Sequence, residues 1–219
     1  MQTMNEASEE GSSIEVKRKR MGTIKVRKAR AEDIDGIFKI AASVGKGKKE
    51  STDGFLMDNY NADPKQYKKE FKEKAEKLKF FYVAEMRNEL VGFLMGYTRK
   101  EWLADNPNWI EDINWSPGFN LNKTECFIMT DKIAITAKYK GCGIGSKIYN
   151  QYMKDLKIAG IKHIFSETII DPVPNLASLA FRKKQAFKMA GMRYEKYNGT
   201  VYTDLIYYKP VKVGNIVAN

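Results

Sequence analysis

Apolar and polar residues alternate along several short segments of the chain and recur every three to four residues along others. Alternation is typical of strands, and the longer period is typical of helices that bury one face. The first alternating segment, TIKVRKA at 23–29, is followed by a helical pattern that places Ile34, Ile37, Phe38 and Ala41 on one side. The pattern therefore predicts a domain that begins with a strand and a helix.

The rest of the chain continues this mixture of strands and helices. A second amphipathic helix is predicted at 64–78, because the segment opens with proline and repeats apolar residues on one face. The Asn-Gly pair at 198–199 predicts a hairpin. The other predicted elements are strands at 79–86, 89–100 and 125–135, a helix at 147–160, a strand at 162–170, a helix within 171–187, and strands at 187–197 and 200–210. This order predicts a mixed α/β domain of the α+β kind.

Composition narrows the class of protein. The chain lacks any run of about 18 or more apolar residues and any apolar signal core, so no membrane span is expected and the cytoplasm is the expected location. Cys126 and Cys142 have no partner at metal-ligand spacing and are expected to be free thiols. The single histidine, His163, lies in a predicted strand, which argues against a His-pair metal site and a Ser-His-Asp triad. No metal is expected.

The net charge of +11 is compatible with nucleic acid, an anionic membrane or an anionic cofactor. The lysines are spread along the chain, which favours a solvated surface. Residues 1–20 lack periodicity and balance four glutamates against four basic residues, so we expect a flexible tail before one domain at 21–219. The basic run at 17–20 has no interleaved aromatic residues, and nucleic acid is therefore not an expected partner.

The segment 101–122 reverses the charge of the chain locally. It holds all three tryptophans, four acids and no base. The tryptophans are expected to pack against the core. For the acids, which include Glu111 and Asp112, two interpretations remain open: a solvated cap, or the lining of a site for a cation.

Three alternating glycines, Gly141, Gly143 and Gly145, precede a predicted helix in the stretch KYKGCGIGS at 138–146. The first turn of a helix has unpaired N–H groups and partial positive charge, and glycine lets an anion approach them. The spacing fits neither G-x-x-x-x-G-K-[ST] nor G-x-G-x-x-G. A phosphate or pyrophosphate site and a merely flexible loop both remain open on the spacing alone.

The stretch IAITAKYKGCGIGSKIYN resembles the acyl-CoA signature Q/R-x-x-G-x-G/A of the GCN5-related N-acetyltransferase (GNAT) superfamily, with Lys138 in place of Gln or Arg. A second stretch, NLASLAFRKKQAF at 175–187, is similar to that family's N-x-x-S-x-x-F-Y-x-K-x-G-F helix. Arg182 stands where the family commonly has tyrosine, and Ala186 stands for the glycine. The resemblance covers roughly residues 23–209.

The resemblance implies a GNAT fold: a twisted mixed sheet of about seven strands flanked by about four helices and splayed at strands 4 and 5. It also implies acetyl-CoA as co-substrate, bound in the splay. The implied cofactor-binding residues are Ile133, Ala134, Ile135, Lys138, Lys140, Gly141, Cys142, Gly143, Ile144, Gly145, Ser146, Asn175, Ser178, Phe181, Arg182 and Lys184.

Two acids are candidates for the group that takes the proton of an acceptor amine. Asp131 interrupts the apolar row Phe127, Met129, Ile133 and Ile135. Glu167 likewise interrupts the row of the next strand, and a lone acid in an apolar row is either paired, hydrated or functional. For each acid, a catalytic role and a solvent-facing position remain open.

Two further residues have more than one interpretation. Asn175 follows proline, so it is either a helix N-cap or a cofactor contact. With Arg182 in place of tyrosine, the acid for the leaving thiolate is in doubt. Arg182 itself could stabilise the thiolate, Tyr149 or Tyr194 could reach in, or no protein acid is needed.

The leading hypothesis is transfer of an acetyl group from acetyl-CoA to a primary amine, on a polyamine, another small molecule or a peptide, by direct attack in a ternary complex. The alternative is an acyl-CoA-binding sensor without turnover. A DNA-associated protein ranks last. A homodimer through the last two strands remains open.

Overall fold

The computed structural model describes residues 22–45, 51–52 and 54–212. The expected tail at 1–20 and the last residues of the expected domain at 213–219 lie outside the described residues. The division into a tail and one domain therefore stays a prediction.

The described residues form a mixed α/β fold, as the sequence predicts, with eight strands and five helices. In chain order the elements are β1 (Ile24–Lys28), α1 (Ile34–Gly45), α2 (Pro64–Lys77), β2 (Phe80–Met86), β3 (Glu89–Thr98), α3 (Arg99–Asp105), β4 (Asn114–Trp115), β5 (Ile128–Ile135), α4 (Ile144–Ile158), β6 (His163–Asp171), α5 (Leu176–Lys184), β7 (Lys188–Tyr197) and β8 (Thr200–Pro210). The two additions to the predicted set are the two-residue strand β4 and the short helix α3.

The helix α3 corrects the predicted end of the preceding strand, which the alternation extends to residue 100. Thr98 accepts a hydrogen bond from the backbone N–H of Glu101, and the Glu101 carboxylate accepts one from the Thr98 N–H at 2.6 Å. This reciprocal capping box begins a helix at Arg99, because it satisfies two N–H groups that a new helix leaves open. The T-x-x-E signal is present in the sequence, but the apolar alternation before it dominated the prediction.

All eight strands join one sheet in the order β1-β2-β3-β5-β6-β8-β7-β4. Every neighbouring pair is antiparallel except β5 and β6, which run parallel. Their pairing is limited to Ile128 with Ile164 and Met129 with Phe165, after which the two strands form no further pair. The predicted splay between strands 4 and 5 is confirmed, and these strands are β5 and β6 because β4 adds one to the count.

Each face of the sheet is covered by its own apolar cluster. On one face α1, α2 and residues 101–122, the tryptophan segment, pack around Phe93, Phe127 and Phe165. On the other face α4 packs Ile148 and Tyr152 against the strands. Burying a large apolar side chain stabilises the fold by about 1.5–3 kcal/mol, so these two layers hold the central strands in place. The splay of β5 and β6 opens within this framework.

Candidate functional site

A cavity of about 870 Å³ lies where β5 and β6 separate. Its wall brings together 16 of the 18 residues that the sequence suggests for the site. These are Asp131, Ile133, Ala134, Ile135, Lys140, Gly141, Gly143, Ile144, Gly145, Ser146, Glu167, Asn175, Ser178, Phe181, Arg182 and Lys184. The site that the two sequence stretches predict is therefore one continuous space in the structure.

Lys138 and Cys142 are the two suggested cofactor residues that the cavity wall does not include. Lys138 lies in a 3-10 turn at 137–139 with its side chain in solvent. Cys142 is buried, with 7% of its surface exposed. The sequence motif spans both residues, but the turn directs one side chain outward and packs the other inside the protein.

The glycine loop, residues 138–143, leads into α4, and a glycine occupies the N-cap position of that helix. Gly143 is the N-cap residue, with φ of 83°, and as a glycine it has no side chain to accept a hydrogen bond from the first turn of the helix. Gly141 also has a left-handed φ, of 75°, which glycine adopts without strain. A Cβ atom at Gly145 would lie 3.5 Å from the Phe181 ring, so α4 and α5 approach closely here. The start of α4 thus presents N–H groups and partial positive charge to the cavity.

The charges on the cavity wall are separated by element. All charged side chains that the glycine loop and α5 contribute to the wall are basic. They are those of Lys140, Arg182 and Lys184. The rest of the wall contains six carboxylates against three basic groups. The carboxylates belong to Asp58, Asp105, Asp131, Glu167, Glu195 and Asp204, and the basic groups belong to Lys74, Lys132 and Arg193. One end of the cavity therefore suits an anion and the other end suits a cation.

A β-bulge at Asp131 changes the face of the sheet on which the following residues of β5 lie. In the pairing of β3 with β5, Met95 lies opposite Lys132 while Gly96 lies opposite Thr130, so Asp131 is the extra residue. The bulge moves the residues after it to the other face, which places Ile133 and Ile135 against the α4 cluster. The single apolar row expected from Phe127 to Ile135 is therefore wrong, because an added residue inverts the alternation.

Lys132 and Asp58 form a half-buried charge pair beside Asp131. The Lys132 ammonium lies 3.2 Å from the Asp131 carboxylate and 3.6 Å from that of Asp58. Burial disfavours the charged lysine, but the two carboxylates outweigh it and raise its pKa. Burial likewise opposes the charge of Asp58, yet Lys132 and the hydroxyls of Tyr197 and Tyr60, at 2.7 and 2.9 Å, hold its pKa below the usual range. The loop at 54–60 is thereby tied to β5 and β7.

Glu167 is half-buried, with 17% of its side chain exposed, and already has partners. Its carboxylate accepts a hydrogen bond of 2.6 Å from the Trp109 indole and lies 2.7 Å from the Arg193 guanidinium. Burial raises the pKa of Glu167, and Arg193 opposes that shift. The solvent-facing interpretation is wrong for this residue, because its strand runs beneath the tryptophan segment.

Three charged wall residues, Arg193, Glu195 and Asp204, were not among the sequence candidates. Arg193 lies 2.7 Å from Glu167 and 2.7 Å from Glu195, and Asp204 pairs with Arg193 across β7 and β8. Burial first, and then Glu167 and Glu195, raise the pKa of Asp204 to about 7. A sequence signal existed, since Asp204 interrupts the row of Tyr202 and Ile206 on its strand, as Glu167 does on β6.

Arg182 is a buried cation without an ion pair among the described residues. Its side chain packs 5.2 Å from the Phe187 ring centre, and its Nε and Nη1 atoms have no hydrogen-bond partner in the described part of the chain. Burial lowers its pKa to about 10, so it stays charged at neutral pH. Of the two tyrosines considered with it, Tyr149 is buried and Tyr194 is 61% exposed, and the cavity wall includes neither.

Asn175 is the N-cap of α5. Its side-chain oxygen accepts a hydrogen bond from the Ser178 N–H at 3.1 Å, and its amide nitrogen donates to the Phe55 carbonyl at 3.0 Å. The N-cap interpretation is confirmed. The same side chain also holds the loop at 54–60 against α5.

The tryptophan segment contributes packing more than charge to the site. Trp102 and Trp109 are buried, as expected, and Trp109 contacts Phe127 and Phe165. Glu111 and Asp112 are exposed and absent from the cavity wall. Their suggested lining role is wrong, because Trp109 points inward from the same turn and directs its acidic neighbours outward.

Across residues 22–45, 51–52 and 54–212, no helix combines the length and the apolar character that crossing a membrane requires. In the same ranges, no group of three or more His, Cys, Asp or Glu side chains is arranged to hold a metal ion.

Comparison with known proteins identifies the family to which the chain is similar. The model of the "Acetyltransferase (GNAT) family" matches residues 49–187. An N-acetyltransferase from Staphylococcus aureus Mu50 superposes with a TM-score of 0.57 at 17% identity, covering 87% of this chain and 100% of that one. The ribosomal-protein-S18-alanine N-acetyltransferase of Escherichia coli gives 0.57 at 12% identity, with 90% and 99% covered. PaiA N-acetyltransferase from Thermoplasma acidophilum, solved with coenzyme A, gives 0.57 at 17%, with 86% and 99% covered. No curated protein sequence matches the chain.

Proposed function

Because the chain belongs to the GNAT family of acetyltransferases, we propose that it transfers the acetyl group of acetyl-CoA to a primary amine, which attacks directly in a ternary complex. The observation that carries the proposal is the cavity between the separated strands β5 and β6, cationic at one end and rich in carboxylates at the other. An anionic acyl donor and a cationic amine are the two ligands that such a charge separation suits.

The residues at the cationic end fit acetyl-CoA. The uncapped start of α4 offers N–H groups for a phosphate, and Lys140 and Lys184 add positive charge. The backbone of Ile133 to Ile135 pairs with β3 on one side only, so its other side can hold an extended arm like an added strand. The related PaiA enzyme was solved with coenzyme A, which supports the same assignment here. When bound, acetyl-CoA supplies the activated acyl group.

An amine must lose a proton to attack, and two carboxylates are placed to receive it. Asp131, on the bulge of β5, is partly exposed to the cavity and has Lys132 as its ion-pair partner. Glu167, across the splay on β6, has a pKa that burial raises, which favours uptake of a proton, although Trp109 and Arg193 occupy its oxygens. We propose both as candidates for the general base, and substitution of each residue in turn would show which one contributes more to the rate.

The first experiment follows free-thiol release from acetyl-CoA against a panel of monoamines, diamines, amino acids and short peptides. We expect release that depends on one class of amine. A general base contributes roughly 10²–10⁴-fold to the rate, so the substitution of the true base, Asp131→Asn or Glu167→Gln, should lower kcat by that order and the other substitution by much less.

The alternative is a sensor that binds acyl-CoA without turnover, and Arg182 in place of tyrosine is the feature that favours it. Calorimetry with coenzyme A separates the two functions. Binding of coenzyme A without thiol release across the whole panel supports the sensor. Absence of both binding and release contradicts both functions.

A further inference from the structure

Three neighbouring strands bring four charged side chains together beyond the splay. Glu167 lies on β6, Arg193 and Glu195 lie on β7, and Asp204 lies on β8 directly across from Arg193. The Arg193 Nε atom is 2.7 Å from Glu167 and its Nη2 atom is 2.7 Å from Glu195. The Nη2 atom also donates a longer hydrogen bond, of 3.4 Å, to the other oxygen of Glu167. One guanidinium therefore serves two carboxylates.

Asp204 is the third carboxylate, and its charge is not compensated. The residue is 3% exposed, and its Oδ2 atom has no hydrogen-bond partner within the described ranges. A buried carboxylate oxygen without a donor costs free energy, which is why buried polar atoms are nearly always paired. Asp204 is on the wall of the cavity, so the missing donor can come from a ligand.

The charge of this group has the sign that a cationic ligand needs. Burial and the acidic neighbours raise the pKa of Asp204 to about 7, and an ammonium beside it favours the ionised form. Three carboxylates and one guanidinium then leave two negative charges in excess. The whole chain carries +11, so its average surface repels cations, and attraction must come from a local group of acids. An ammonium group supplies both a positive charge and three N–H donors.

We propose that Glu195 and Asp204, beside the ion pair of Glu167 with Arg193, form a subsite for a second positive charge on the acceptor, and that the acceptor is an alkyl diamine or polyamine. This inference rests on the proposed transfer to an amine and specifies the class of amine. One amino group is acetylated near Asp131 and Glu167, while a distal ammonium lies between the carboxylates of β7 and β8.

The contacts of the loop at 54–60 favour an alkyl amine over a peptide. Asp58 accepts a hydrogen bond from Tyr197 on β7 and contacts Lys132 on β5, so this loop is fastened across one side of the cavity and its carboxylate is already paired. An alkyl chain brings no polar groups between its amines that would need partners there. A peptide backbone brings N–H and C=O groups that each need a partner.

The test compares diamines with monoamines of the same chain length. Wild-type protein is assayed with 1,3-diaminopropane against propylamine and with putrescine against butylamine, and spermidine is added. We expect kcat/KM to favour the diamines. Loss of a charge that pairs with a ligand in a buried site should lower the diamine-to-monoamine ratio roughly tenfold or more in Asp204→Asn.

Two further variants test whether the change in the ratio is specific to the subsite. Glu195→Gln removes a carboxylate that is 39% exposed, which makes it tolerant of substitution, and it should lower the same ratio. Glu111→Gln removes an exposed charge outside the cavity and should leave the ratio unchanged. Equal ratios in wild type, Asp204→Asn and Glu195→Gln would overturn the subsite, as would a preference for peptides with a basic side chain over every diamine.

Binding measurements separate this inference from the proposed function. Putrescine is titrated by calorimetry into protein saturated with coenzyme A, so no turnover is needed. Binding by wild type that weakens tenfold in Asp204→Asn supports the subsite even if no amine is acetylated, whereas the proposed function then fails. Acetylation of amines without any preferential binding of putrescine over butylamine overturns the subsite and leaves the proposed function intact.

Discussion

At the scale of single residues, Arg182 is the least expected feature of the structure. A buried cation normally has a carboxylate partner, because removing it from water costs several kcal/mol. Arg182 has aromatic neighbours instead, and the cavity beside it is where an anion is proposed to bind. Arg182 is therefore a buried charge without an ion pair among the described residues, which is typical of a site prepared for an anion.

Replacing this charge should have opposite effects on stability and on ligand binding. Arg182→Met keeps a long apolar stem against Phe187 but removes the buried charge. We expect the free energy of unfolding without ligand to rise by about 1–3 kcal/mol, measured by urea titration. Affinity for coenzyme A or the rate of acetyl transfer should fall in the same variant.

Lys183→Met is the matched control, because Lys183 is exposed on the same helix and absent from the cavity wall. It should change neither quantity. An Arg182→Met protein that is less stable than wild type would show that the guanidinium has a structural role that its contacts do not reveal.

At the scale of elements, the packing of α4 against β3 determines how the cavity is supported. A Cβ atom at Gly96 would lie 2.7 Å from the Tyr152 hydroxyl, which is fully buried and hydrogen-bonded to Thr130 at 3.1 Å. Thr130 is the first residue of β5 after the last pair with β6, and its carbonyl accepts a hydrogen bond from Ser166 at 2.8 Å. The absence of a side chain at Gly96 thus allows α4 to reach the point where the strands separate.

Gly96→Ala should destabilise the protein by about 1–3 kcal/mol, the usual cost of overpacking a core. Urea unfolding measures the loss. The double variant Gly96→Ala with Tyr152→Phe removes the hydroxyl that the new methyl group meets, so it should be less destabilised than the two single changes predict. Strict additivity would show that the methyl group is accommodated in another way.

At the scale of the whole molecule, the stability of the fold should depend on the ligands that bind in the cavity. A ligand that binds only the folded state stabilises it by mass action, by about 2.7 kcal/mol at 100 times its Kd. The proposed homodimer through β7 and β8 stays a prediction, with Tyr194 and Val201 exposed on that hairpin.

Coenzyme A should therefore raise the melting temperature of the chain. For a protein of this size each kcal/mol corresponds to roughly 2–4 °C, so saturating coenzyme A should raise Tm by roughly 5–10 °C, followed by scanning fluorimetry. Pantothenate, which lacks the phosphates, serves as control and should raise Tm much less. An unchanged Tm at millimolar coenzyme A would contradict both the acyltransferase and the sensor.

The sequence by itself determined the order of the elements, the glycines at the start of a helix and the second stretch around Asn175 and Phe181. Those signals are local, since periodicity and helix-terminal glycines act within a few residues of the chain. They identified most of the residues that line the cavity where acetyl-CoA is proposed to bind. They also identified Asp131 and Glu167, because an acid in an apolar row is visible without a partner.

Only the tertiary structure decided the acceptor side. Glu167 meets Arg193 and Asp204 because β6 lies beside the hairpin of β7 and β8 in one sheet, and the register between β6 and that hairpin is not written in any one segment. The bulge at Asp131 depends on the partner strand, so alternation in β5 alone misassigned the face of Ile133. Glu111 and Asp112 turned outward because Trp109 filled the core, and long-range packing of that kind outweighs local composition.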